Sequence, residues 1–474
     1  LIVALCFCRF DEIQGGDVTN CRCIGKKAPT IFVRTHEMTI VNDPKHQKRA
    51  VKTESTPTTI QQRDTEDECA PFFVNLASLP ESQLDHLRQT GLIGNNNNSL
   101  DVCLLTDKHE AYLLTIFHQK LRASFVSLDA SRTWMIYWCL HGLDLMGQLP
   151  NDTELQTRTV ESLELCFAPC PVLCSPDIID DDSILNESIA AGSKNECKAG
   201  GFGGGQDQMP HAATTYAAVL ALSILASSSN SALRLLSDVR NDVYVWMLSL
   251  IDRETGAVRM HHDGEIDVRA TYCVAAVSKL LNLPVSSTTL ANFVKSCQTW
   301  EGGFAGEPGA EAHGGYTFCA VAALELLGAL DTIDRSAVRS WLARRQMSFE
   351  GGFSGRTNKL VDGCYSFWQG SAMVLASGES TALFDTAMLE RYILLCGQDV
   401  NGGLRDKPSK PRDFYHSCYC LSGLSGARHY GDERFGQPDV VQKTHPCFNI
   451  QVQHVEFVQS YFADKPLVRG SSSL

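Results

Sequence analysis

Residues 345–368 read R-Q-M-S-F-E-G-G-F-S-G-R-T-N-K-L-V-D-G-C-Y-S-F-W. The fold turns on how that stretch recurs. A glycine-rich turn, E-G-G-F-S, is followed by a polar loop and then by an aromatic residue that opens an apolar run. Glycine permits bends that other residues resist, and a long apolar run rich in Ala, Leu and aromatic residues is helical. Turn glycines begin at Gly200, Gly256, Gly302, Gly351 and Gly402, at intervals of 56, 46, 49 and 51 residues. Roughly fifteen residues after each comes T-Y-A-A-V-L-A-L, T-Y-C-V-A-A-V, G-Y-T-F-C-A-V-A-A-L, C-Y-S-F-W-Q-G or F-Y-H-S-C-Y-C-L. One repeat is therefore two helices joined by a glycine-rich turn. Such units cannot bury their apolar faces singly, so they stack, in an open solenoid or a closed ring. Strand-like alternation is brief, and the fold class is all-α. If the ring closes, helix starts and glycine loops gather at one end.

The same stretch carries the densest chemistry. Asp362 and Cys364 stand two apart across Gly363, and a bend at the glycine lets an oxygen and a sulfur converge on one ion. Zinc accepts mixed oxygen, sulfur and imidazole ligands, and catalytic zinc takes three from the protein. The third candidate is His416 in R-D-F-Y-H-S-C-Y-C, because its surroundings repeat those of the first run. Taken alone, a solvated aspartate and a buried structural cysteine explain D-x-C better than a metal does. Arg356 and Lys359 just upstream suit a substrate that carries phosphate.

At 474 residues the chain holds one large domain or a few small ones. A formal charge of -13 and a pI near 5.5 argue against nucleic-acid binding. Nineteen cysteines are scattered through apolar segments such as those around Cys273, Cys319, Cys396, Cys418 and Cys420. They read as reduced core thiols and predict a cytoplasmic protein. The opening L-I-V-A-L-C-F-C is short for a signal segment and lacks a basic flank. No later stretch approaches the roughly twenty apolar residues of a transmembrane helix.

Residues 1–100 read as an irregular arm and linker, with a basic patch at Lys45, His46, Lys48 and Arg49, a threonine-rich stretch and the run Asn95–Asn98. Helical spacing starts at Leu104, and Ser131 is a candidate helix N-cap. A repeat domain is expected over 101–467, with a short tail at 468–474. Near 167–197 an insertion interrupts the repeat phase: C-F-A-P-C-P-V-L-C followed by an acidic cluster reads as a surface loop. Its C-x-x-x-C-x-x-x-C lacks a histidine or fourth thiol at finger spacing. His261 and His262 read as solvated turn residues.

Beyond the D-x-C run, the chain contains G-G-F-G-G-G with P-H and T-Y-A-A, G-E-I-D-V-R-A-T-Y-C, W-E-G-G-F-A-G, E-A-H-G-G-Y-T-F-C, D-K-P-S-K-P-R-D-F-Y-H-S-C-Y-C-L-S-G-L and T-H-P-C-F-N-I. With these it resembles the family of protein farnesyltransferase β subunits, from about Leu104 to about Leu467. The resemblance implies an α/α toroid, a closed barrel of helical hairpins. It implies pairing with the α subunit shared by farnesyltransferase and geranylgeranyltransferase type I. The activity implied is transfer of farnesyl from farnesyl diphosphate to the cysteine of C-terminal C-a-a-X sequences, such as those of small GTPases.

By position, Asp362, Cys364 and His416 resemble the zinc ligands. His313, Arg356, Lys359 and the Tyr365 phenol resemble the diphosphate site, with Gly314, Gly315, Tyr316, Thr357, Asn358, Ser366, Phe367 and Trp368 around it. Asp406 resembles a carboxylate used with magnesium. Trp134, Trp138, Tyr216, Tyr316, Tyr365, Trp368 and Tyr419 are candidates for an aromatic wall, although ordinary core packing explains such residues too. Ala130, Ser131, Trp134, Trp138, His211, Ala213, Tyr415 and Tyr419 fall on the peptide side. Arg269 borders both substrates, or forms an ion pair with Asp267 or Glu265. Thr214 stands where the family has proline, which leaves the preference for the last C-a-a-X residue open.

The alternative within the family is the β subunit of geranylgeranyltransferase type I. Trp134, Tyr419 and Asp406 favour the farnesyl type. A terpene cyclase would carry D-x-D-D, which the sequence lacks. A non-catalytic repeat protein would have lost a ligand, and all three candidates remain.

Overall fold

The computed structural model describes residues 56–73, 76–94, 102–118, 123–173, 196–378, 382–437 and 441–467. The basic patch, the asparagine run, Cys174, the acidic cluster and the tail lie outside the described residues. The helices are α1 (Pro57–Cys69), α2 (Glu81–Thr90), α3 (Thr106–Leu113), α4 (Thr115–His118), α5 (Arg132–Leu145), α6 (Thr153–Glu164), α7 (Ala212–Leu225) and α8 (Asn230–Ser249). They continue as α9 (Val268–Leu280), α10 (Ser287–Ser296), α11 (Gly314–Leu326), α12 (Arg335–Ala343), α13 (Tyr365–Ser377), α14 (Thr386–Arg391), α15 (Phe414–Tyr430) and α16 (Val452–Phe462).

Alternate helices form an inner ring. α5 packs on α7, α7 on α9, α9 on α11, α11 on α13, α13 on α15, and α15 returns to α5. The ring is closed, as the toroid expectation required. Composition explains which helices lie inside. All fourteen residues of α7 are buried, whereas α12 buries only Val338, Trp341 and Leu342. A helix that is apolar all round needs neighbours on every side, and one with a single apolar stripe lies at the surface.

The joints between hairpins repeat. Gly351 has φ +86°, and a Cβ there would lie 2.5 Å from Met388 O in α14. Gly402 has φ +88°, and its Cβ would lie 2.0 Å from Lys108 O in α3. Only glycine tolerates both the left-handed backbone and the approach. A glutamine stands beside three of the turns in the ring. Gln298 Nε2 donates to Asp334 O at 3.3 Å, Gln346 Nε2 to Asp385 O at 2.8 Å, and Gln398 Nε2 to Cys103 O at 3.1 Å. The last joint reaches back to the first outer helix, so closure uses the same glutamine and glycine as the two joints before it.

At the other end of each joint, an inner helix start donates to the next repeat. Arg132 N donates to Gly204 O (2.8 Å), Ala212 N to Met260 O (2.7 Å), Val268 N to Gly306 O (3.0 Å), Gly314 N to Gly355 O (2.8 Å) and Gly363 N to Asp406 O (2.9 Å). Inner helix N-termini therefore collect at one end of the ring. Inside, three phenols grip the T-H-P-C-F-N-I segment. Tyr137 donates to Asn449 O (2.7 Å), Tyr216 to Phe448 O (3.0 Å) and Tyr272 to Cys447 O (2.6 Å).

Two expectations change. The arm contains helices α1 and α2; α1 starts with Pro57 at its first position and a capping box at Thr56, a local signal that weak amphipathicity concealed. The ends of the 167–197 insertion are paired strands rather than loop. β1 (Phe167–Pro169) runs antiparallel to β4 (Gly200–Phe202), and β2 (Val172–Leu173) to β3 (Glu196–Cys197). Gly200 consequently sits in a strand. The last two strands, β5 (Leu404–Arg405) and β6 (Arg412–Asp413), pair beside α15. Among the described residues, no helix is long and apolar enough to cross a membrane.

Candidate functional site

Asp362, Cys364 and His416 meet where α13 and α15 begin. Their ligand atoms all lie within 4.8 Å of one another, and His416 Nε2 is 3.2 Å from Asp362 Oδ1. Gly363 makes this possible by contact as well as conformation: a Cβ there would lie 2.7 Å from Cys420 Sγ. Asp362 Oδ1 accepts the Cys364 N–H at 2.8 Å, which turns the carboxylate back over the helix start.

Asp413 orients the third ligand. Its Oδ1 caps α15 by accepting His416 N–H at 2.7 Å, and its Oδ2 lies 2.6 Å from His416 Nδ1. The carboxylate takes the Nδ1 proton, so Nε2 faces Asp362 and Cys364. That buried Nε2 has no hydrogen-bond partner of acceptable geometry, despite its 3.2 Å approach to Asp362. Burial opposes charge on the imidazole, but Asp413 and Asp362 outweigh it and hold the His416 pKa well above its ordinary value. Burial, then Asp362, pushes the Cys364 thiol well up. Asp362 itself is held below the usual carboxylate range: burial opposes this, and His416 overcomes it. An orphaned imidazole nitrogen, a carboxylate and a buried sulfur on one point fit a divalent cation.

His211, His261 and Glu265 also converge within 4.8 Å. There His211 Nδ1 accepts Ala213 N–H at 3.1 Å as the cap of α7, which occupies that lone pair and protonates the other nitrogen. This cluster suits a metal poorly. His261 and His262 are half-buried and hydrogen-bonded, not solvated: His261 Nδ1 donates to His262 O at 2.7 Å.

His313 caps α11 by accepting Gly315 N–H at Nδ1 (3.0 Å), and its Nε2 is 3.0 Å from Tyr365 Oη. The first bond fixes the tautomer, so Nε2 donates and the phenol oxygen accepts. Burial, then Arg356, pushes the His313 pKa down to about 3, and the ring stays neutral. Gly314 and Gly355 shape this corner. A Cβ on Gly314 would lie 2.3 Å from Gln369 Nε2, and one on Gly355 2.2 Å from Tyr365 Oη.

Arg356 reaches Glu311 at 3.2 Å, while Thr357, Asn358 and Lys359 are exposed on the following turn. Thr357 is engaged by Arg345 (3.0 Å) and Glu301 (2.9 Å), neither of which the sequence had singled out. Asp406 holds Lys407 Nζ with both oxygens, at 2.6 and 2.5 Å. Burial, then Asp362, lifts the Asp406 pKa to about 6. Arg269 makes the ion pair with Asp267 at 2.5 Å. Ser366 turns away from the site: it faces Gly423 of α15, where a Cβ would lie 2.3 Å away.

Of the aromatic-wall candidates, Trp134, Trp138, Tyr216, Trp368 and Tyr419 join a continuous belt, whereas Tyr365 packs on His313. Ring centroids run Tyr415–Trp138 (5.4 Å), Trp138–Trp134 (5.6 Å), Trp134–Tyr216 (5.8 Å), Tyr216–Tyr272 (5.3 Å), Tyr272–Phe318 (5.3 Å), Phe318–Trp368 (5.1 Å), Trp368–Tyr419 (4.3 Å) and Tyr419–Tyr415 (4.8 Å). Phe367 packs behind it on Phe318 and Tyr419, and Tyr316 edges His313. Tyr272 and Phe318 were missed, although each stands within the aromatic opening of its repeat. Ala130, Ser131, His211 and Ala213 lie at the starts of α5 and α7. Ser131 occupies the N-cap position, but its hydroxyl makes no capping bond. The Thr214 hydroxyl is engaged with Phe202 O at 2.6 Å.

A closed ring of helical hairpins with a cation-seeking triad at its helix starts has a known counterpart. The family model of the prenyltransferase alpha-alpha toroid domain matches residues 104–450, so the chain is a prenyltransferase toroid. Protein farnesyltransferase subunit beta of Arabidopsis thaliana is 36% identical over 388 residues, covering 68% of this chain and 73% of that protein. The subunit of the same name from Schizosaccharomyces pombe is 35% identical over 411 residues, covering 80% of this chain and 98% of that protein. The chain belongs to the family of protein farnesyltransferase β subunits. Geranylgeranyl transferase type-1 subunit beta of A. thaliana is 33% identical over 334 residues, covering 67% and 84% of the two chains. Candida albicans protein geranylgeranyltransferase-I complexed with GGPP shares the fold, with TM-score 0.58 over 76% of this chain and 99% of that one at 22% identity.

Proposed function

We propose that the chain is the catalytic β subunit of a cytoplasmic protein farnesyltransferase. Paired with an α subunit, it transfers farnesyl from farnesyl diphosphate to the cysteine thiol of C-a-a-X proteins. The observation that carries the reading is the convergence of Asp362, Cys364 and His416 with Asp413 behind the imidazole. These three residues would hold zinc and leave a fourth position for substrate. When bound, zinc lowers the pKa of the substrate thiol and stabilises its thiolate.

The remaining work falls to the chain's own groups. The α11, α13 and α15 N-termini direct their partial positive charge toward this end of the ring. His313 donates to Tyr365 Oη, and that phenol in turn donates its proton to a diphosphate oxygen as charge grows on the leaving group. Arg356 and Lys359 supply cations beside it, with Lys359 exposed. Magnesium would engage Asp406 only by competing with Lys407, which now neutralises that carboxylate. The belt from Trp134 to Tyr419 offers the isoprenoid an apolar wall, and bulky Trp134 favours the shorter chain.

The test is coexpression with an α subunit, metal analysis, and alkylation of a dansylated C-a-a-X peptide by either isoprenoid diphosphate. Zinc at one per heterodimer and preference for farnesyl are expected, with metal lost in Cys364→Ala. Equal use of geranylgeranyl diphosphate, or full zinc in the variant, refutes the corresponding assignment.

A further inference from the structure

A cysteine with a base behind it lies away from this site, just beyond β1. Cys170 Sγ is 3.5 Å from His262 Nδ1. The other ring nitrogen, Nε2, is 2.8 Å from Ser249 Oγ at the end of α8. The Ser249 hydroxyl donates to Trp246 O at 2.6 Å. The direction of the chain is set at that far end. A carbonyl only accepts, so the hydroxyl proton goes to Trp246, and Ser249 Oγ receives the proton on His262 Nε2. The neutral imidazole then presents the bare lone pair of Nδ1 to the thiol. A nucleophile, a base within reach of it and a third group orienting the base are the parts an activated cysteine needs.

Access points to the same residue. Of the thirteen cysteines whose side chains are described, Cys103 and Cys170 are the two that are not buried, and the Cys170 thiol faces a histidine. The backbone holds it there: Cys170 N–H donates to Ala199 O at 2.7 Å, extending the β1–β4 ladder by one rung.

We propose that Cys170 is a redox modification site, a thiol that reacts with hydroperoxides using His262 as proton acceptor and Ser249 as the positioning residue. In the step, the Sγ proton passes to His262 Nδ1 and a sulfur electron pair attacks one peroxide oxygen. The S–O bond forms as the O–O bond breaks. The departing hydroxide or alkoxide takes the proton from the imidazolium and leaves as water or alcohol. Sulfur is oxidised by two electrons to the sulfenic acid, and the peroxide is reduced by two. Partial burial alone raises the Cys170 pKa, so the resting thiol keeps its proton until the imidazole removes it. His262 O accepts from His261, whose ring lies 5.5 Å from that of His211 at the cap of α7.

The full chain, coexpressed with its α subunit, is treated with hydrogen peroxide and trapped with dimedone, and each cysteine is quantified by peptide mass spectrometry. Cys170 should label about 100-fold faster than Cys103, the in-protein reference. Ser249→Ala and His262→Gln should each slow labelling at Cys170 and leave Cys103 unchanged, and Ser249→Thr, which keeps the hydroxyl, should restore the rate. Labelling of Cys170 at the rate of Cys103, or a Cys170 rate unmoved by both variants, overturns the proposal.

Discussion

Asp413 allows the metal centre to be tested without touching a ligand. One oxygen caps α15 and the other holds the Nδ1 proton of His416 at 2.6 Å. Asp413→Asn keeps an oxygen for the cap, and asparagine serves about as well as aspartate there, so the helix loses little. The second bond does not survive. The single amide oxygen cannot serve both His416 N–H and Nδ1–H, and the amide nitrogen meets Nδ1–H as donor against donor. The ring loses its orienting charge. Loss of such a partner costs about 10- to 100-fold in metal affinity, or roughly 1.4 to 2.7 kcal/mol. Chelator competition on the heterodimer, with metal read by atomic emission, measures this directly. Asp413→Ala is the control: it removes the cap as well, worth about 1 kcal/mol, and should lower the unfolding midpoint of the stripped protein. The expected result is that Asn releases metal at a tenth or less of the parental chelator concentration, with a stripped midpoint near the parental one. Parental metal retention in Asp413→Asn would show that the carboxylate merely caps a helix.

Three further perturbations test neighbouring parts. Gly355→Ala puts a Cβ 2.2 Å from Tyr365 Oη and drives the phenol off His313; kcat should fall about 100-fold or more with zinc content intact, and an unchanged kcat sinks the phenol's role. Trp134→Ala opens the belt where Trp138 and Tyr216 meet it; the preference for farnesyl over geranylgeranyl diphosphate should fall, and an unaltered ratio removes Trp134 from control of chain length. Glu350 is fully buried, accepts from Gln62 of α1 at 2.8 Å, and has its pKa pushed up from 4.5 to about 7, by burial first. The folded chain keeps that proton while the unfolded chain releases it, so stability falls as pH rises between those values, by about 3 kcal/mol at most. Glu350→Gln keeps an acceptor and has no proton to lose; its unfolding midpoint should vary less between pH 5 and 8, and a parental slope would refute the burial of charge.

The residues that were legible in the sequence are those whose role is local or periodic. Asp362 and Cys364 lie two apart, and their convergence needs only the bend at Gly363. His416 was found because its repeat mirrors theirs. Asp413 escaped notice although it stands three residues before His416, the spacing of an N-cap that doubles as a histidine partner. Lys407, adjacent to Asp406, was hidden differently: sequence shows two neighbouring charges but not that they fold onto each other. Tyr272 and Phe318 shared the aromatic openings of the repeats, yet only closure of the ring joins them to Trp134 and Trp368. The insertion misled because its pairing partners, 167–169 and 200–202, are separated by more than thirty residues, beyond the reach of a local pattern.

Ring closure itself has a physical explanation that the periodicity alone could not supply. An open array of helical hairpins leaves two apolar ends and needs polar capping repeats to cover them. Here the terminal surfaces cover each other. Gln398 and Gly402 make with Cys103 and Lys108 the contacts that Gln346 and Gly351 make with Asp385 and Met388. His109 adds a lock that the internal joints lack, accepting Gly403 N–H at Nδ1 (2.8 Å) and meeting Gln398 Oε1 at Nε2 (2.9 Å), with its pKa pushed down to about 4 by burial. The interrepeat spacing sets how far each helix pair rotates from the last, but a circle requires the sixth pair to arrive at the first with the right chemistry. The glutamine, the glycine and the neutral histidine are that chemistry. Because the inner helices are thereby fixed on both flanks, the starts of α13 and α15 are held side by side, and the carboxylate, sulfur and imidazole meet without a loop having to order around them.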